Sequence, residues 1–140
     1  MMSHVLYYSL TGNTKKLATA MAAELGVGAK HIKSVSALPQ DGILFLGSGS
    51  YGDRPSDEMQ AFIAGNDFAG RTVALFGTSG RGEGKEVDVM AEALTQKGAI
   101  VAGKYFTKGR SFVVVNIGHP GRDDLEGARK FAREMVKTNG

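Results

Sequence analysis

The chain has 140 residues, of which 42% are hydrophobic and 22% charged, with a net charge of +3 and no cysteine. That length predicts a single domain, 1–140, with a sizeable core, and the missing cysteine excludes disulfides, thiolate metal sites and a cysteine nucleophile. No stretch has the pattern of a signal peptide or a membrane span, so a cytoplasmic protein with no membrane partner is expected.

Residues 5–8 form an apolar run that predicts a first strand. It feeds Ser9-Leu10-Thr11-Gly12-Asn13-Thr14, a strand-to-helix turn of hydroxyls, an amide and a glycine. Residues 13–25 follow helical spacing, with Leu17, Ala18, Met21, Ala22 and Leu25 on one face and Gly26 as the stop. Residues 30–33 are a short, half-polar strand candidate suited to a sheet edge, and 36–40, with Pro39, a loop. Residues 43–46 are unbroken apolar, as in a strand covered on both faces. They lead into a second glycine-rich turn, Gly47-Ser48-Gly49-Ser50-Tyr51-Gly52-Asp53. A helix follows, with Pro55 near its start and Met59, Phe62 and Ile63 facing inward.

Residues 73–76 predict the next buried strand, which opens into a third glycine-rich turn, Gly77-Thr78-Ser79-Gly80-Arg81-Gly82-Glu83-Gly84. The helix after it buries Val87, Met90, Ala91 and Leu94 and ends at Gly98. Residues 99–102 are expected as the last core strand. Residues 112–115 are strongly apolar and fit either an extra strand or a covering segment. The final helix places Leu125, Ala128, Phe131, Ala132 and Met135 on one face. This alternation implies an α/β fold with a parallel sheet and helices on both faces. All three glycine-rich turns then fall at the carboxyl edge of the sheet, where open α/β sheets bind ligands.

The charges at the helix starts distinguish the turns. A helix N-terminus favours Asp or Glu, and three predicted helices follow that rule, with Asp57-Glu58, with Glu83 and Glu86, and with Asp123-Asp124. The first opens with Lys15-Lys16. Backbone N–H groups, hydroxyls and a close-approach glycine make a phosphate cradle there; the plainer alternative is a capped helix with solvated lysines. The turn is neither a Walker A loop nor a dinucleotide Gly-x-Gly-x-x-Gly turn. A phosphorylated receiver domain needs an acceptor Asp after the third strand, where Gly47-Ser48 stands. His4, His31 and His119 are far apart, and no catalytic or metal-ligating constellation is expected. His119, in Gly118-His119-Pro120-Gly121, fits a covering loop or a simple turn. The basic balance suggests acidic partners, without the aromatic-interleaved Lys/Arg cluster of a nucleic-acid binder.

The first turn resembles the phosphate loop of the flavodoxin family, Ser/Thr-x-Thr-Gly-Asn-Thr, and with the other two turns the resemblance covers nearly the whole chain. It implies a three-layer α/β/α sandwich with five parallel strands in the order 2-1-3-4-5, and FMN as cofactor. By that resemblance Ser9, Leu10, Thr11, Gly12, Asn13 and Thr14 hold the phosphate. Ser48, Gly49, Ser50, Tyr51, Gly52 and Asp53 border the ring, with Tyr51 on one face and the Gly52–Asp53 peptide hydrogen-bonding the reduced flavin. Thr78, Ser79, Gly80, Arg81, Gly82 and Gly84 border the other face and the pyrimidine edge.

Two departures from the family pattern stand out. Arg81 occupies the place of a second stacking aromatic, and the chain is basic. An arginine near the ring would stabilise the anionic reduced flavin, at about 59 mV for each 1.4 kcal/mol; alternatively it points to solvent or pairs with Glu83 or Glu86. The run Gly118-His119-Pro120-Gly121-Arg122-Asp123-Asp124 is similar to that of a subgroup of short flavodoxin-like proteins. The function implied is a monomeric electron carrier passing low-potential electrons between redox proteins with acidic docking surfaces, itself without catalytic residues. Two alternatives stay open: an FMN-dependent oxidoreductase acting on a quinone or tetrapyrrole, and an interaction module that has lost its flavin.

Overall fold

Strands and helices alternate along the chain in the computed structural model, which describes residues 2–10, 12–80, 82–108 and 120–139. The order is β1 (Ser3–Tyr8), α1 (Asn13–Leu25), β2 (Ala29–His31), a 3-10 turn (Ile32–Ser34), β3 (Ile43–Gly49), α2 (Asp57–Ala64), β4 (Thr72–Ser79), α3 (Lys85–Gln96), β5 (Ile100–Lys108) and α4 (Arg122–Asn139). The five strands form one sheet in the order β2-β1-β3-β4-β5, and every pairing is parallel. Fold class and strand order agree with the sequence expectation.

The period of two along each central strand divides the core into two layers. Leu6, Tyr8, Leu44, Leu46, Val73 and Leu75 point to one face, where Met59, Ile63, Val87, Met90 and Leu94 of α2 and α3 meet them. Val5, Tyr7, Ile43, Phe45, Ala74 and Phe76 point to the other, against Leu17, Met21, Ala128, Phe131 and Ala132 of α1 and α4. Phe45, Phe76 and Phe68 are fully enclosed, each contributing about 1.5–3 kcal/mol over its exposed state. Continuous apolar strands between two helical layers are what burial on both faces requires.

Strand ends differ from expectation in a consistent way. β3 runs on through Gly47, Ser48 and Gly49, and β4 through Gly77, Thr78 and Ser79. These polar and glycine residues stay in the sheet because their backbones pair across it: Tyr8 with Ser48, Ser48 with Gly77, and Gly49 with Thr78. The second and third turns are therefore shorter than their sequences suggest. β1 starts at Ser3, since its ladder with β3 reaches Ile43. β2 ends at His31, whose Nδ1 accepts the Lys33 N–H at 3.2 Å and starts the 3-10 turn. β5 extends to Lys108, beyond the expected 99–102, with a register shift opposite Val73 and Ala74. Its polar residues suit an edge strand, which apolarity alone does not reveal. The apolar run 112–115 and His119 lie outside the described residues.

Candidate functional site

The carboxyl ends of β1, β3 and β4 bring the three turns to one edge, at the place where strand order reverses between β1 and β3. In the first turn the Ser9 hydroxyl accepts the Gly12 N–H at 3.0 Å. Gly12 caps α1 in the left-handed conformation, φ 92°, and a Cβ there would point into open space. No side chain of the cap bonds the helix start, and its first turn holds no acidic residue. Lys15 and Lys16 are exposed, while Asn13 and Thr14 are buried. The Thr14 and Thr78 hydroxyls share a buried hydrogen bond of 2.9 Å, tying α1 to the end of β4.

The other helix starts supply their own negative charge or acceptor. At α2 the Ser56 hydroxyl accepts the Met59 N–H at 3.0 Å, followed by Asp57 and Glu58. At α4 the Asp124 carboxylate accepts from the Gly121 N–H at 2.8 Å and from the Thr107 hydroxyl at 2.6 Å. α3 has Glu86 and Asp88 in its first turn. A start with no side-chain cap bond, two cations and no acid in its first turn leaves α1 best suited to an anion from outside the chain.

The second turn leans on both neighbours. The Ser50 N–H donates to the Thr78 carbonyl at 2.9 Å. Ser48 is fully buried, and its hydroxyl accepts the Ser56 N–H at 3.0 Å and donates to the Gly49 carbonyl at 2.9 Å. Ser48 thus holds the turn's shape. Gly52 and Asp53 both have positive φ, 68° and 65°, an uncommon conformation for a non-glycine residue. Tyr51 is exposed at 38% and meets Tyr8 edge-on at 6.4 Å between ring centroids. Tyr8 in turn meets His31 at 5.1 Å. Hydrogen bonding to Glu58, then burial, raises the Tyr8 phenol above its ordinary value; burial raises that of Tyr51, with the Leu10 backbone opposing. Leu10 itself is 70% exposed beside the first turn.

In the third turn the Ser79 hydroxyl accepts the Gly82 N–H at 2.8 Å, and Gly84 caps α3 with φ 75°. Lys85 reaches Glu83 at 3.5 Å and Asp53 at 3.7 Å, bridging the second and third turns at the surface. Between them lies a cleft of about 280 Å³ lined by Ser50, Gly52, Asp53, Ser79, Gly80, Glu83, Lys85 and Glu86. A larger hollow, about 350 Å³, sits at the opposite end of β1, around Met2, His4, Lys30 and Pro39. His4 bonds Asp41 there at 3.1 Å, far from the turns.

The structure therefore brings Ser9, Leu10, Gly12, Asn13, Thr14, 48–53, Thr78, Ser79, Gly80, Gly82 and Gly84 to one edge. Thr11 and Arg81 lie outside the described residues. Sequence reasoning took Glu86 for a helix-start acid. It is fully buried, and both carboxylate oxygens lack a hydrogen-bond partner. Burial pushes its carboxyl up to about 7. The signal was its spacing: Glu86 stands four residues before Met90 on the inward face of α3.

A family model described as a flavodoxin domain matches residues 4–116. The flavodoxin of Clostridium beijerinckii is 31% identical over 108 residues, covering 69% of this chain and 78% of that protein. Among solved structures, a flavodoxin from the domain Archaea superposes with a TM-score of 0.78 at 20% identity, covering 99% of this chain and 98% of that one. A short-chain flavodoxin associated with a non-canonical PDU bacterial microcompartment gives 0.78 at 22% identity over the whole of both chains. Among the described residues no helix is long and apolar enough to cross a membrane.

Proposed function

The chain belongs to the flavodoxin family, and from that premise we propose that it binds FMN and carries electrons between redox enzymes. The observation that carries the proposal is the start of α1, which has no cap side chain, no acid in its first turn and two exposed lysines. That arrangement suits a phosphate. Open space at Gly12 allows close approach, and the Thr14 hydroxyl is already oriented by Thr78. Ser9, Gly12, Asn13 and Thr14 would hold the phosphate, together with Thr11.

The cleft between the second and third turns would take the ring. Tyr51, between Ser50 and Gly52 of the cleft lining, is exposed, and the positive-φ pair Gly52 and Asp53 offers backbone groups at the rim. Bound FMN supplies the electron-carrying chemistry; the protein sets its potential through stacking, hydrogen bonds and local charge. The net charge of +3 favours acidic partner proteins, with docking weakened by salt.

An absorption spectrum and titration of the flavin-free chain with FMN test the proposal. Flavin bands with stoichiometric uptake are expected. A colourless chain that ignores added FMN would overturn the reading and favour an interaction module. Oxidation of NAD(P)H without any partner reductase would instead favour an oxidoreductase acting on a small substrate.

A further inference from the structure

Among the described residues Glu86 is the one whose buried side-chain oxygens find no hydrogen-bond partner. A group so placed needs a reason, because burying a carboxylate without a cation or donor is costly. Space is nonetheless kept for it. A Cβ on Gly77 of β4 would fall 2.4 Å from the Glu86 Oε1, so the carboxyl rests directly on the glycine backbone, two residues before Ser79. Glu86 also lines the cleft between the second and third turns.

We propose that the Glu86 carboxyl is a redox-coupled proton site, taking one proton from solvent when an added electron leaves negative charge on the flavin. The inference rests on the FMN reading above. The electron comes from a one-electron donor protein. The proton comes from solvent and forms an O–H bond on one carboxylate oxygen, and no bond in the chain breaks. Oxidation returns both.

The surroundings leave the carboxyl balanced between its two states. Burial disfavours its ionised form most, and Asp88 on α3 and Asp53 in the second turn add to that, holding the group at about 7. The backbone N–H of Glu86 itself, at the start of α3, opposes them by favouring the anion. The lysines nearby are engaged elsewhere: Lys85 with Asp53 and Glu83, and Lys104 of β5 with Asp88 at 3.0 Å. β4 presents uncharged Gly77 and Thr78, and β5 presents Phe106, which packs on Gly84. With no counter-charge fixed to it among the described residues, the carboxyl responds to one new negative charge in the adjoining cleft.

The test measures the potential for the second electron in FMN-loaded wild type and Glu86→Gln, from about pH 7 to about pH 8. A midpoint of about 7 before reduction that rises by about one pH unit predicts uptake of about half a proton per electron in this window, a wild-type slope of about 30 mV per pH unit or more, and a flat line in the variant. Equal slopes would overturn the proposal. A second measurement needs no variant: the side-chain carbon-13 signal of Glu86 in wild type, titrated in both oxidation states. Its midpoint must rise by about one pH unit or more on reduction, a tenfold or greater gain in proton affinity; an unmoved midpoint would overturn the proposal. A chain that takes up no FMN fails at the earlier step, before any potential is read, and removes the premise itself.

Discussion

The β1–α1 and β4–α3 turns are built from the same device and end with opposite electrostatics. In each, a serine at the strand end accepts the N–H three residues on, Ser9 from Gly12 and Ser79 from Gly82. In each, a left-handed glycine caps the helix without a side-chain bond. The first helix then offers Lys15 and Lys16 and no acid, whereas the third carries Glu86 and Asp88 in its first turn. One start is left for an external anion; the other brings its own, with one carboxyl driven inside. Turn geometry is thus separable from charge, and charge decides which of two similar turns suits a phosphate.

The largest test of that contrast concerns the internal acid. The folded chain holds the Glu86 proton up to about pH 7, against an ordinary value of 4.5. The native state therefore binds more protons than the unfolded chain between those values. This contribution to stability is full below about pH 4.5, is lost as pH rises toward about 7, and is constant beyond. The loss is on the order of 3 kcal/mol. Denaturant melts across pH should show it in wild type and not in Glu86→Gln; parallel curves would remove the buried acid from the comparison.

Thr14→Val probes the link between the two turns. It leaves the Thr78 hydroxyl without its buried partner, and a loss of about 1–3 kcal/mol is expected. A second denaturant series, at one pH, checks this, and FMN affinity should fall with it. An unchanged melt would mean that the turns are fastened independently.

Charge reversal sharpens the contrast directly. Glutamates at Lys15 and Lys16 should weaken FMN binding by about tenfold, from roughly 0.3–1 kcal/mol per charge at a helix end. Lys85→Glu, at the third turn, should change it much less, since Lys85 already faces Asp53 and Glu83. Isothermal titration at low salt measures both. Equal losses would show that the lysines act through overall charge and not through the helix start. The smallest effect concerns Arg81. If it stabilises the anionic flavin, Arg81→Ala lowers the second potential by a few tens of millivolts, the equivalent of roughly 1 kcal/mol. No change, or a rise, would count against it.

The helices were legible because their signals are local. α1 spans the predicted 13–25, ended by Gly26 at φ 72°, since a helix closes its hydrogen bonds within a few residues and its stop is a single backbone state. Strand ends were less legible. Gly47, Ser48, Gly77 and Thr78 have turn-like chemistry, yet they lie in strands because partners distant in sequence hydrogen-bond them. The same reason hid the length of β5, where Lys104 and Thr107 pair with Leu75 and Thr78 despite their polarity.

At the site, residue order alone was enough to say which residues could meet at the carboxyl edge and that the first helix start lacked a negative charge. Both follow from order along the chain and from charges within one turn. Packing in three dimensions commits Ser48 to shaping its own turn, fastens Thr14 to Thr78, and shuts Glu86 against Gly77 with no hydrogen-bond partner among the described residues. Those outcomes depend on which surfaces close over one another. Desolvation is a property of the packed fold and is written in no short stretch of the chain.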